Sequence, residues 1–443
     1  MQYIKRAFFY GILTVFINSV LFCYAVPLHV LLKILILFLL TGTFVYYNIS
    51  PSAGKFSAKK HKALFSGHEL LLASGFFFVL QTGLYVYFAA IRYDHVLILI
   101  INGIVSLLLA FLLALNGLIR VFAVSRQLSK LFRVILLLFW WMPVVNIVLL
   151  SIACVTVLTE YKFLVKKYRL NEGRKEKKVC QTKYPILMIH GIFFRDWKLF
   201  NYWGRIPKEL TDNGAAIFYG NHNSSLPAEK TAETLKQRIL DIVKETGCEK
   251  VNIIAHSKGG MEARYVISCL DMDPYVASLT TINTPHKGTP LAGGAIEKIP
   301  KKVFSTVGKG YKGLYTKLGD ENCDFLAGVN ELTPEKCAEL NEKIPDCEGV
   351  YYQSAGSKMK SSSGAMFPLN AGYAMIKPSG GENDGLVPTD SMVWGHFSGV
   401  LQSSGKKGIS HGDMIDLTRK NIPGFDVCEF YVGLVSGLKE KGL

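Results

Sequence analysis

Two hydrophobic patterns divide the chain. Up to about residue 158, apolar positions run for some twenty residues at a time; beyond about 183 they come in short runs separated by polar, helix-period segments. The long runs, near 7–26, 28–47, 70–91, 96–119 and 134–158, approach the roughly 20 residues that cross a hydrocarbon core. They predict five transmembrane helices, with Pro27 separating the first two in a tight hairpin. A cleaved signal peptide is a poor reading of the first run, because no small-residue cleavage site precedes a soluble domain and four more runs follow. Lys33, Asn102 and Asn116 fall inside spans. Intramembrane polar groups invite functional readings, but Lys33 lies near a helix end and can snorkel, so structural roles are expected for these residues.

The short runs Ile186–Ile189, Ala215–Tyr219, Val251–Ala255, Ala277–Ile282 and Val350–Ser354 predict strands, and Lys230–Glu245 predicts an amphipathic helix with Leu235, Ile239 and Ile242 on one face. This alternation predicts an α/β fold with a mainly parallel central sheet flanked by helices. Residues 295–345 break the pattern and read as an insertion, with Thr333-Pro334-Glu335 starting its last helix. The organisation is therefore a transmembrane helical domain over 1–158, a basic linker over 159–182 and an α/β domain over 183–443.

Charge sharpens this division. Residues 1–178 hold 20 of the 50 Lys and Arg but 5 of the 34 Asp and Glu, so the net +16 divides into +15 there and +1 in the remainder. The basic excess flanks apolar segments, as at membrane ends, and does not lie on the folded part as a nucleic-acid-binding face would. With the amino terminus inside, ten basic residues face the cytoplasm and nine, mostly in the cluster from Lys162 to Lys178, face outward. Five spans then place the C-terminal domain outside, and a bacterial cell membrane is the expected location. None of the nine cysteines shows a C-x-x-C spacing. Cys337 and Cys347 are read as free or buried thiols, or as a loop-closing pair if the domain is extracytoplasmic. The glycine- and lysine-rich stretch Gly308–Gly313 lacks the phosphate-loop pattern.

Ala255-His256-Ser257-Lys258-Gly259-Gly260 follows the run Val251–Ile254 and precedes the helix-favouring Met261-Glu262-Ala263-Arg264. A strand, a sharp turn carrying one serine and a helix form a nucleophile elbow, which exposes Oγ above the carboxyl edge of a parallel sheet. A serine nucleophile needs a base and a carboxylate to orient it. Asp384, in Asn383-Asp384-Gly385-Leu386-Val387-Pro388, and His411, in Ser410-His411-Gly412-Asp413, follow in the chain order Ser, Asp, His of the α/β-hydrolases. The backbone N–H groups of Lys258 and Ile192 are the candidate oxyanion donors, Ile192 because His190-Gly191 closes the first strand with a turn. His190 is expected to brace that turn, and the His256 side chain to point away from Ser257; His222, His286 and His396 have no assigned role.

Residues 184–438 resemble the bacterial triacylglycerol lipases of the α/β-hydrolase fold. The likeness rests on Pro185–Gly191, Ala255–Gly260, Thr284-Pro285-His286-Lys287-Gly288-Thr289, Asn383–Val387 and His411-Gly412-Asp413, and does not extend to the apolar spans. It implies Ser257 as nucleophile, Asp384 as acid, His411 as base and a lipid or ester substrate. An acid two residues beyond the histidine commonly ligates a structural calcium in this family, which makes Asp413 a candidate ligand; no cofactor is implied for the chemistry, and the family's zinc pattern is not evident. Phe304, Tyr311, Tyr315 and Phe325 stand among lysines in the insertion, which reads either as an amphipathic lid or as a fixed helical cap. The expected activity is that of a membrane-anchored lipase or carboxylesterase. A phospholipase or acyltransferase using the same serine on membrane lipids, and a non-catalytic binding protein, are the alternatives.

Overall fold

A computed structural model describes residues 2–51, 58–91, 93–192, 201–295 and 325–443. They form two compact units, Met1–Glu172 and Gly173–Leu443.

The first unit is helical: α1 (Gln2–Ile17), α2 (Ser19–Ala25), α3 (Val30–Ile49), α4 (Lys59–Ala90), α5 (Val96–Val124), α6 (Lys130–Leu138) and α7 (Pro143–Arg174), whose last two residues pass into the second unit. Among the described residues four helices, α3, α4, α5 and α7, are long and apolar enough to cross a membrane. The first predicted span is not a continuous helix. It bends by 69° between α1 and α2, where the Asn18 side chain donates to Thr14 O at 3.0 Å and so competes for a helix carbonyl. The predicted fifth span also divides, into α6 and α7, because Pro143 opens a new helix. That helix runs on to Arg174, through much of the stretch read as a linker.

The polar residues inside the helices bond to neighbouring elements. Asn102 donates to Asn18 Oδ1 at 3.0 Å and to Tyr85 OH at 3.2 Å. Asn116 donates to Asn48 O at 2.8 Å, and the Lys33 ammonium reaches Cys23 O at 2.6 Å.

The described residues of the second unit include six strands, β1 (Ile186–Ile189), β2 (Ile217–Tyr219), β3 (Val251–His256), β4 (Val276–Ile282), β5 (Tyr351–Ser357) and β6 (His396–Leu401). They form one parallel sheet in the order β2-β1-β3-β4-β5-β6. The period of two along a strand supplies both cores. Ile186 and Met188 pack with Ile206 and Leu210 of α8 (Ile206–Asp212) and with Tyr431 and Val435 of the C-terminal helix Val427–Glu440. Leu187 and Ile189 pack with Leu235, Ile239 and Ile242 of α9 (Ala228–Thr246) and with Ala263 and Val266 of α10 (Lys258–Cys269). The result is a helix–sheet–helix sandwich of the α/β-hydrolase type, with loops gathered at the carboxyl edge of the strands. β6 has no counterpart among the predicted strands: its sequence, His-Phe-Ser-Gly-Val-Leu, mixes polar and apolar positions and is only partly buried.

Of the insertion, the structure describes α11 (Phe325–Asn330) and α12 (Pro334–Lys343). Thr333 caps α12 by accepting from Lys336 N at 3.3 Å. Phe304, Tyr311 and Tyr315, on which the lid reading rests, lie outside the described residues. Cys337 and Cys347 are free thiols: Cys337 is buried against Pro285 O, and Cys347 faces Ile267 O.

Candidate active site

The central strand β3 is buried along its whole length and delivers Ser257 to the carboxyl edge. Ser257 adopts φ 56° and ψ −132°, a region that non-glycine residues rarely occupy and that persists only where the surroundings impose it. Those surroundings are very close. A Cβ at Gly259 would lie 2.5 Å from His190 O, and one at Gly260 would lie 2.2 Å from Thr284 Oγ1. Glycine at both positions lets α10 start directly beneath β1 and β4, which is the strand–turn–helix layout expected from the sequence.

His411 lies in the loop after β6 and Asp384 in the loop that follows Leu369–Gly380, named α13. His411 Nδ1 and Asp384 Oδ2 are 2.6 Å apart, and His411 N donates to Asp384 O at 2.9 Å. The buried carboxylate is held from every side. Oδ1 accepts from Leu386 N at 2.9 Å and Val387 N at 2.8 Å, and Oδ2 also accepts from Asn283 Nδ2 at 2.5 Å. With Nδ1 engaged, Nε2 is the ring nitrogen left for proton exchange. The His411 ring packs 4.5 Å from that of His256, the residue preceding Ser257.

The loop after β1 completes the cluster. A Cβ at Gly191 would lie 2.8 Å from Ser257 Cβ, so this backbone rests directly against the serine. Tyr202 OH accepts from Gly191 N at 3.1 Å and is hydrogen-bonded to His256 Nδ1 at 2.7 Å. Burial, with a smaller contribution from His411, holds the His256 imidazole well below its ordinary range, so it stays neutral beside His411. Ser224 Oγ donates to Gly191 O at 2.9 Å, and His190 stacks on His222 with centroids 4.3 Å apart.

Below this loop lies a charged network that the sequence reading does not contain. The buried Lys258 ammonium bonds Glu262 and donates to Leu226 O at 2.8 Å. Glu262 also pairs with His222 at 2.8 Å. Burial opposes the Glu262 charge, but Lys258 and His222 outweigh it and hold the carboxyl at about 2. The i, i+4 spacing of Lys258 and Glu262 was the available signal; the approach of His222 comes only from the fold.

Asp413 sits two residues beyond His411, with Oδ2 accepting from Ser410 N at 2.9 Å and Ser410 Oγ at 2.7 Å. Burial raises its pKa. The neighbouring Asp416 is committed to Arg205, at 2.7 Å and 2.8 Å. Among the described residues no group of three or more His, Cys, Asp or Glu is placed to hold a metal. Asp413 braces the His411 loop through its bonds to Ser410.

The structure thus brings Ser257, Lys258, Ile192, Asp384 and His411 to one edge of the sheet, with Asp413 behind them. Comparison with known proteins gives the same direction. A model of class 2 lipases matches residues 183–283, which include β1 and the Ser257 turn. A triacylglycerol lipase of Vibrio cholerae is 32% identical over 287 residues, which cover 59% of this chain and 90% of that protein. The chain belongs to the triacylglycerol lipase family. Its reaction class is therefore carboxylic ester hydrolysis, and the six-stranded unit is its lipase unit. Another triacylglycerol lipase, of Pseudomonas fragi, is 26% identical over 59% of this chain and 98% of its own length. A lipase of Bacillus licheniformis solved in its mature form superposes with a TM-score of 0.44 at 19% identity, covering 57% of this chain and 92% of its own.

Proposed function

We propose that the protein is a membrane-anchored serine hydrolase of lipid esters, working through Ser257, His411 and Asp384. The observation that carries this reading is the Asp384–His411 pair, closed at 2.6 Å, whose imidazole packs on His256, the residue before a serine on a strained turn. In the proposed first step His411 Nε2 takes the proton as Ser257 Oγ attacks the ester carbonyl. The oxyanion is held by the backbone N–H groups of Lys258 and Ile192, and His411 returns the proton to the departing alcohol. Water, activated by the same imidazole, then releases the acid from the acyl-enzyme. Asp384 keeps Nδ1 protonated and offsets the imidazolium charge.

The anchoring reading rests on the four long apolar helices and the bent pair, with residues 1–158 as a transmembrane domain and the lipase unit on the outer face of a bacterial cell membrane. Hydrolysis of a panel of acylglycerols, phospholipids and simple esters by the detergent-solubilised protein tests the reaction. Dominant release from acylglycerols and simple esters supports it; exclusive attack on phospholipids, or acyl transfer in place of hydrolysis, overturns the substrate assignment. Complete protection of the lipase unit from protease in intact cells overturns its outer placement.

A further inference from the structure

Among its described residues the lipase unit keeps most large apolar side chains covered, with one paired exception. Among the described residues of this unit, only Met366 and Phe367 are more than half exposed, at 81% and 74%. They stand side by side in the loop after the carboxyl end of β5, the edge that also carries Ser257. Single exposed apolar residues are ordinary; here two adjacent ones stand at one loop tip. Met375, on α13, and Leu417 are the next most exposed, at 40% and 43%. Leu369 and Leu417 meet over Gly412, where a Cβ would lie 3.6 Å and 3.2 Å from their side chains. The tip therefore leads straight onto the wall beside His411.

Of charged side chains, the chain segments that form this tip and its neighbour carry basic ones only. Residues 358–381 and 398–412 contain five lysines and no carboxylate. Gly364 packs against Lys407 O, and Lys360 N donates to the same carbonyl at 3.0 Å, so Lys360, Lys406 and Lys407 flank the start of the tip. Lys377 stands on α13, and only Lys358 is neutralised, by Glu382 at 2.6 Å. A second copy of the chain would set these lysines against one another across a two-fold contact. An apolar tip flanked by cations fits a bilayer surface that contains anionic lipid.

We infer that Met366 and Phe367 insert into such a surface, while Lys360, Lys377, Lys406 and Lys407 meet its headgroups, so that the mouth beside His411 opens onto lipid. The inference rests on the hydrolase reading for its consequence but not for its contact.

The test uses the full-length protein in nanodiscs of phosphatidylcholine, alone or mixed with phosphatidylglycerol. The Met366→Ser/Phe367→Ser variant should cleave a water-soluble short-chain ester at the wild-type rate. It should cleave a long-chain ester presented in the mixed lipid about tenfold more slowly. Fluorescence added by Phe367→Trp, taken by difference from wild type, should be quenched by brominated phospholipid, more strongly in the mixed discs. Equal rates on bilayer-borne ester, a parallel loss on both substrates, or absence of quenching each overturns the docking. A wild-type protein that cleaves neither ester defeats the hydrolase reading instead, and the quenching arm then decides the docking alone.

Discussion

Ser224 Oγ donates to Gly191 O at 2.9 Å. Because the peptide that follows is planar and trans, holding this carbonyl toward Ser224 turns the Ile192 N–H to the opposite side. Gly191 itself lies against Ser257, which supports Ile192 as the second oxyanion donor and makes Ser224 its positioning residue. Ser224→Ala should lower kcat roughly tenfold with KM little changed, and Ser224→Thr should restore most of it. Equal loss in kcat and in thermal stability, without rescue by threonine, would mark Ser224 as merely structural.

The Asp384 carboxylate accepts four hydrogen bonds, two from backbone amides and one each from the Asn283 and His411 side chains. Asn cannot satisfy them all, because its NH2 would face a donor. Asp384→Asn should lower kcat on a soluble ester by roughly 10⁴-fold, as expected when the imidazole loses its tautomer partner. Steady-state kinetics on protein with an unchanged far-ultraviolet spectrum measures this.

The Lys258–Glu262–His222 network makes a pH prediction. A carboxyl depressed to about 2 from 4.5 binds fewer protons folded than unfolded, so its stabilisation is complete above pH 4.5 and is lost as pH falls toward 2. The shift corresponds to something of order 3 kcal/mol. Glu262→Gln should therefore destabilise the protein most at neutral pH, with the gap from wild type closing as the medium is acidified. Denaturant midpoints measured across that range read the gap directly; a gap that widens on acidification would contradict the assignment.

Gly259 has no room for a methyl group, since its Cβ would meet backbone, His190 O, at 2.5 Å. Gly259→Ala should cost about 1–3 kcal/mol and also reduce activity, because relief of the clash moves the loop that carries Ile192. Chemical denaturation and ester hydrolysis should fall together in this variant.

The residues that the sequence could reveal were those whose constraints are local. Val251–Ala255 ran through His256 into Ser257-Lys258-Gly259-Gly260, and the close approach of the flanking strands leaves room only for glycine at 259 and 260. Asp384 and His411 stood out through motif and chain order, and the structure pairs them. What was hidden depends on distant approach. His222 reaches Glu262 across 40 positions and Asn283 reaches Asp384 across 101, and neither leaves a pattern in the chain. The membrane unit shows the same limit. Hydropathy located the long helices, but the bend at Asn18 follows from a side-chain amide that competes with the backbone, and the break before α7 from one proline. β6 was missed because a partly exposed edge strand lacks a strong apolar alternation.

The central claim is that Ser257 is the nucleophile, activated by His411. Labelling of the full-length, detergent-solubilised protein with a fluorophosphonate probe tests it most directly. The account predicts strong labelling of wild type, none of Ser257→Ala and severe loss in His411→Ala, with the adduct mapped by mass spectrometry to the peptide containing Ser257. Labelling of Ser257→Ala equal to that of wild type would contradict it.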